Sequence, residues 1–162
     1  MKKQTQYNVT FGGIGGQGII KASELLGWAA LYDGYHVKKS EVHGMSQRGG
    51  SVESHVRFGK QVYSPLVGPG QADFLLCFHA DEHLRLRDFL KPGGTDLLEY
   101  LKQVETMVEN PKTVNTALMG VLSVFLPISE TSWLKAIEAV FPEKIQKENK
   151  AVFQKAKSLV EQ

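Results

Sequence analysis

Tyr7, Val9 and Phe11 alternate with polar residues and run into Gly12-Gly13-Ile14-Gly15-Gly16-Gln17-Gly18. Ile19, Ala22, Leu26, Ala29 and Ala30 then recur near helical spacing, which reads as strand, glycine turn, helix. Gly34 ends that helix, and Tyr35-His36-Val37 opens a second strand that closes near Val42. The window from His43 to Gly50 has no period and is a loop. From Ser51 the alternation is clean. Val52, Ser54, Val56 and Phe58 share one face, and Ser51, Glu53, His55 and Arg57 share the other. Gly59-Lys60 suits a tight hairpin turn, so Gln61-Val62-Tyr63-Ser64 is expected to return antiparallel.

The run from Ala72 to Phe78 is continuously apolar apart from Asp73, as a strand buried on both faces would be. A helix is expected from Asp81 to Leu90, closed by Lys91-Pro92-Gly93-Gly94, and another from Leu97 to Val108, broken at Asn110-Pro111. Val114, Ala117, Leu118, Val121, Leu122 and Phe125 fall on one helical stripe, which Pro127 stops. Ser129 or Thr131 then caps a helix carrying Leu134, Ile137 and Val140, and a final helix follows Pro142. Helical crossovers between the early strands imply a parallel core sheet, and the hairpin adds antiparallel pairing. The expected fold is therefore α/β: a three-layer α/β/α arrangement with a mixed, mainly parallel sheet, a Rossmann-like start and a helical C-terminal third. No repeat or linker divides residues 1–162, so a single domain is expected.

Composition narrows the function classes. A formal net charge of +2 is too mild to point to nucleic acid or an anionic membrane, and the lysines from Lys144 to Lys157 read as a solvated helix face. Cys77 is the single cysteine, which rules out an intrachain disulfide and favours a reducing compartment. It also excludes an iron–sulfur cluster held by this chain alone, since such clusters take about four thiolates. No apolar run approaches the roughly 18 residues of a membrane span, and Met1 to Gln6 does not resemble a signal peptide. A cytoplasmic protein is expected.

Two windows carry candidate chemistry. Gly13, Gly15 and Gly18 satisfy G-x-G-x-x-G between a strand and a helix, where free N–H groups can approach an anion. A dinucleotide site also wants an acidic residue after the second strand; Glu41 is a loose candidate, beside Lys38 and Lys39. Five glycines in the seven residues from Gly12 to Gly18, with Gln17 between two of them, is not the usual composition of that motif, and a turn packed tightly against a neighbouring chain explains it as well. The second window, His43-Gly44-Met45-Ser46-Gln47-Arg48-Gly49-Gly50-Ser51, is expected on the same rim. Arg48 suits a carboxylate and His43 is of the residue type that serves as a proton carrier, so His43, Gln47 and Arg48 are the candidate catalytic residues, with pinning of the loop or of a partner as the alternative. His79, Asp81, Glu82 and His83 have no dedicated metal spacing and read as helix capping and solvation; no metal site is expected. Cys77, Trp28 and Trp133 read as packing residues.

Gly13 to Gly18 followed by an alanine-rich helix resembles the gamma subunit of 2-oxoacid:ferredoxin oxidoreductases. The stretch from Glu41 to Val52, continuing through Ser54-His55-Val56-Arg57, resembles the small (beta) subunit of the indolepyruvate branch. Ser64-Pro65, Ala72-Asp73, Lys91 to Gly94, Asn115 to Gly120, and Asn149 with Phe153 fit the same pattern, which departs after Gly94, where the family has a further strand. The resemblance implies one gamma-type catalytic domain over 1–162 in a complex that converts a 2-oxoacid and coenzyme A to acyl-CoA and CO2 and reduces ferredoxin. Thiamine diphosphate, magnesium and the iron–sulfur clusters are then expected on larger partner chains, with no cofactor on this one. Gly13, Gly15, Gly16, Gln17, Gly18, His43, Ser46, Gln47, Arg48, Gly49 and Ser51 are expected to form loops against the substrate, coenzyme A or the partner. A gamma subunit acting on pyruvate, 2-oxoglutarate or ketoisovalerate, and a stand-alone Rossmann-like nucleotide-binding module, remain as alternatives.

Overall fold

The computed structural model describes residues 4–43 and 49–160. Its strands are β1 (Gln6–Ile14), β2 (His36–His43), β3 (Ser51–Gly59), β4 (Ala72–Cys77) and β5 (Leu90–Asp96). Its helices are α1 (Ile19–Tyr32), α2 (Ala80–Leu86), α3 (Leu98–Met107), α4 (Val114–Ser123), α5 (Glu130–Val140) and α6 (Glu143–Lys157), with short 3-10 turns at Arg87–Phe89 and Pro111–Thr113. The strands form one sheet in the order β2-β3-β1-β4-β5. β3 runs antiparallel to both of its neighbours, and β4 runs parallel to β1 and β5. The sheet is therefore mixed, as expected, with two parallel and two antiparallel pairings and four of its five strands running the same way.

Burial splits the molecule at the sheet. On one face Phe11 and Val9 of β1, Val56 and Phe58 of β3, and Phe74 and Leu76 of β4 pack against Leu25, Leu26 and Ala29 of α1 and against α4, α5 and α6. Each fully buried aromatic or leucine there contributes about 1.5–3 kcal/mol. On the other face Leu75 and Cys77 of β4 meet Leu86 of α2, with Phe89 and Leu90 at the margin. β4 feeds both clusters, which is why its sequence is continuously apolar. The helical third follows its stripe: every residue of α4 from Asn115 to Ser123 is buried, Ser129 caps α5 by accepting from the Ser132 N–H at 3.3 Å, and Gly34 ends α1 at φ 91°.

Three expectations are corrected. Gln61 to Ser64 forms no strand, because both edges of β3 are already taken by β1 and β2. That segment instead lies along the face opposite α1, where Arg57 donates to the carbonyls of Ser64 and Leu66 at 2.9 and 2.7 Å. Lys91-Pro92-Gly93-Gly94 does not close a helix but runs inside β5, at the sheet edge, with a register shift between Ala72 and Phe74. Proline and glycine are tolerated there because one side of an edge strand needs no ladder donor. Trp133 is buried as expected, but Trp28 is 42% exposed and stacks on Tyr32 at the surface.

α4 and α6 cross where Gly120 lies against the Phe153 carbonyl, and a Cβ at Gly120 would collide with that backbone. Gly120→Val should therefore destabilise the fold by about 2–3 kcal/mol through overpacking, read as a lower urea midpoint at unchanged slope; an unchanged midpoint would show that the crossing is looser than described.

Candidate functional site

The chain direction places the site. After β1 the chain crosses by α1 to β2, on one side, whereas β4 lies on the other side of β1 and is followed by β5. The carboxyl ends of β1 and β4 thus flank the point where strand order reverses, the usual place for a crevice in an open α/β sheet. The glycine turn sits there. Gly13 ends inside β1, and Gly16 and Gly18 take φ 96° and 78°. At Gly18 a side chain would be strained by the backbone and would run into the Asn115 amide, which donates to the Gly18 carbonyl at 3.3 Å.

Gln17 explains why this turn departs from the dinucleotide pattern. Its Oε1 accepts from the Ile14 N–H at 2.9 Å, and its Nε2 donates to the Phe78 carbonyl at 2.8 Å. The side chain thereby ties the end of β1 to the end of β4. On one side of the strap a cleft of about 400 Å³ opens between Gln17, Phe78, Leu101, Glu105, Lys112 and Asn115. On the other, a shallower hollow of about 450 Å³ is lined by Gly15, Ile20, Lys21, His43 and Val52.

The polar loop meets the glycine turn at its two ends. Gly15 donates its N–H to the Gly50 carbonyl at 2.9 Å, and Gly49 is at φ 81° beside it. His43 ends β2, is exposed, and stands 3.4 Å from Glu41. Glu41 in turn holds Lys39 at 2.5 Å, and that hydrogen bond draws its carboxyl below the usual range, so it is already engaged by neighbours of its own strand. Ser46, Gln47 and Arg48 lie outside the described residues. The structure thus brings Gly15, Gly16, Gly18, His43, Gly49 and Gly50 to one rim.

Beneath this rim runs a polar chain, buried at Thr10, His55, Glu53 and Glu82 and exposed at Arg85, that the sequence showed only as the polar half of β3's alternation. Thr10 Oγ1 lies 2.8 Å from His55 Nδ1, and His55 Nε2 lies 2.7 Å from Glu53. Glu53 accepts from Arg85 at 2.8 Å; Arg85 also donates to Glu82 at 2.8 Å, and Glu82 accepts from Ser51 Oγ at 2.5 Å. The chain ends at the first residue of β3, where the polar loop joins the sheet. His79 caps α2 as expected, accepting from the Asp81 N–H at 3.2 Å, but Glu82 is buried rather than solvated. One missed signal was available: α2 helical spacing puts Glu82 and Arg85 on one face.

Cys77 is buried in β4, and burial, reinforced by Asp96 and Glu82, pushes its thiol up to about 12. It is the chain's only cysteine, and among the described residues no group of three or more His, Cys, Asp or Glu could hold a metal ion. A single buried thiol does not fit an iron–sulfur cluster. No described helix is long and apolar enough to cross a membrane.

The family described as pyruvate ferredoxin/flavodoxin oxidoreductase matches residues 8–105. The indolepyruvate oxidoreductase subunit IorB of Thermococcus kodakarensis is 55% identical over 89 residues, 55% of this chain and 44% of that protein. The chain thus spans less than half the length of this curated relative. Among solved structures, the gamma subunit of keto/oxoacid ferredoxin oxidoreductase from Geobacter sulfurreducens superposes with a TM-score of 0.74 at 25% identity, over 93% of this chain and 95% of that one. The 2-oxoglutarate:ferredoxin oxidoreductase of Magnetococcus marinus, with 2-oxoglutarate, coenzyme A and succinyl-CoA bound, shares the fold with a TM-score of 0.82 at 20% identity, over 98% of this chain and 32% of that one.

Burial raises the Glu53 carboxyl, but hydrogen bonds from Arg85 and His55 outweigh it and hold the group below its ordinary 4.5. A depressed folded pKa adds stability that is present above the unfolded value and is lost as pH falls through the folded one. Wild-type stability should therefore drop as pH falls from about 4.5, and Glu53→Gln should show a shallower drop in urea melts over that window; an identical slope would remove Glu53 from the account.

Proposed function

The chain belongs to the pyruvate ferredoxin/flavodoxin oxidoreductase family, and from that premise we propose that it is the small, cofactor-free, gamma-type subunit of a 2-oxoacid:ferredoxin oxidoreductase. Its 162 residues form one gamma-type catalytic domain of that complex. Indolepyruvate, or another aryl pyruvate, is the proposed substrate, with coenzyme A as cosubstrate and ferredoxin as electron acceptor. The 2-oxoacid loses its carboxyl as CO2, the acyl group passes to the thiol of coenzyme A, and an electron pair leaves toward ferredoxin. Thiamine diphosphate, magnesium and the clusters are assigned to the larger partner chains, and the complex is assigned to the cytoplasm.

The observation that carries this reading is the 55% identity to the indolepyruvate subunit. The geometry supports it through the rim of Gly15, Gly16, Gly18, His43 and Gly49, beside Gly13, Gln17 and Ser51; with Ser46, Gln47 and Arg48, assigned from the sequence, this is the face proposed to close over the partner's substrate and coenzyme A. In that role His43, Gln47 and Arg48 are the polar groups offered to the ligand carboxylate or phosphates. The engaged Gln17 amide and the paired Glu41 speak against a free-standing dinucleotide site.

Purified alone, the chain should show no 2-oxoacid oxidation. Co-expressed with a thiamine-dependent large subunit, it should form a stable complex that reduces ferredoxin or a viologen dye with indolepyruvate and coenzyme A. Turnover by the lone chain, or failure to associate, contradicts the proposal; preference for pyruvate or 2-oxoglutarate moves it to another branch.

A further inference from the structure

The two edges of the sheet differ. β5 carries Pro92, Gly93 and Gly94 and a register shift, devices that blunt an edge against further pairing. β2 spans eight residues, His36–His43, with no proline or glycine, and among the described residues nothing pairs with its outer side. Exposed apolar side chains occur on the elements that touch this strand: Trp28, Leu31 and Tyr32 on α1, whose Gly27 faces Val37, Val42 on β2 itself, and Tyr63 and Leu66 on the segment that Val62 and Pro65 tie to His36 and Ser40. Among the described residues, the other exposed large hydrophobic, Leu84, is on α2. Such clustering marks an interaction surface.

We propose that β2 pairs antiparallel with β2 of a second copy of this chain, about a two-fold axis at Ser40, joining two sheets into one. The charge pattern selects both the occupant and the register. A two-fold axis normal to the sheet keeps each face on its own side, so opposed residues must have the same parity along the strand. Centring on Lys39 would set Lys39 against its own copy, and centring on Glu41 would do the same for the carboxylates. Centring on Ser40 sets Lys39 against the second copy's Glu41 and Glu41 against its Lys39, on one face. It also sets Lys38 against Val42 and Val37 against His43, with no like charges directly opposed. Lys39 and Glu41 are already side by side within the strand at 2.5 Å, so pairing closes four alternating charges. The α1 helices, which lie on the Val37 side of β2, then share one face of the joined sheet. On the opposite face Ser40 Oγ donates to the Pro65 carbonyl at 3.3 Å, which places the segment carrying Tyr63 and Leu66 beside the same axis. This inference does not depend on the proposed reaction.

Sedimentation equilibrium on the purified chain tests it. The wild type should be a reversible dimer. Lys39→Glu and Glu41→Lys should each raise the dissociation constant on the order of tenfold or more by opposing like charges. An equimolar mixture of the two variants should recover a heterodimer, since every opposed pair is then of opposite sign. A wild-type chain that stays monomeric overturns the proposal, as do single variants that associate like wild type. Cross-links from Lys38 or Lys39 that run to the large subunit rather than to a second copy also overturn it. Hydrogen exchange gives a readout independent of any variant's folding. Amide protection over His36–His43 in the wild type should rise with protein concentration, and constant protection counts against the dimer.

Discussion

The Gln17 carboxamide holds the molecule's business end together. Its carbonyl oxygen takes the last N–H of β1 that would otherwise face the turn, and its amide nitrogen takes the carbonyl of Phe78, just past the end of β4. Two parallel strands whose ends need not stay level are thereby locked level, at the place where strand order reverses. The glycines around it follow from this. Gly13 leaves room for the Gln17 side chain and Ile19, and Gly18 leaves room for Asn115, so the turn can be both tight and crossed by a side chain. A motif that reads as a phosphate cradle is, in this chain, also crossed by a side chain that fastens the ends of two sheet strands.

Around that fastening the rest of the site is held by short-range polar contacts. Gly15 and Gly50 join the turn to the loop entering β3, and the series Thr10, His55, Glu53, Arg85, Glu82 and Ser51 anchors that entry from below. Such a chain is costly to bury unless each member finds a partner, and here each does. The consequence for function is a rigid platform. A face held in this way is preorganised and can receive a ligand or a partner with little further ordering.

Much of this was legible in the residues, and what was not has a physical reason. The stripe from Val114 to Phe125 and the apolar run from Ala72 to Phe78 were readable because burial imposes its period on the sequence. The loop and the turn were readable as neighbours because each leaves the same end of the sheet. The return strand at Gln61 was misread because a turn signal is local, whereas the competition for β3's edges is not. β5 was misread because Pro-Gly-Gly breaks helices and central strands but is harmless at an edge. Glu82 was misread because its long-range partner, Ser51, stands on β3, although Arg85 lies one turn along the same helix. Gln17 was noticed only as an odd residue among glycines, since its two acceptor and donor partners are separated by 64 residues, from Ile14 to Phe78.

Replacing Gln17 by leucine, close in size and without the amide, tests the fastening most directly. Removing it strands the Ile14 N–H and the Phe78 carbonyl, so urea unfolding should show a loss of about 2 kcal/mol at unchanged slope, together with faster amide exchange at the ends of β1 and β4. Wild-type stability and exchange in Gln17→Leu would contradict the account.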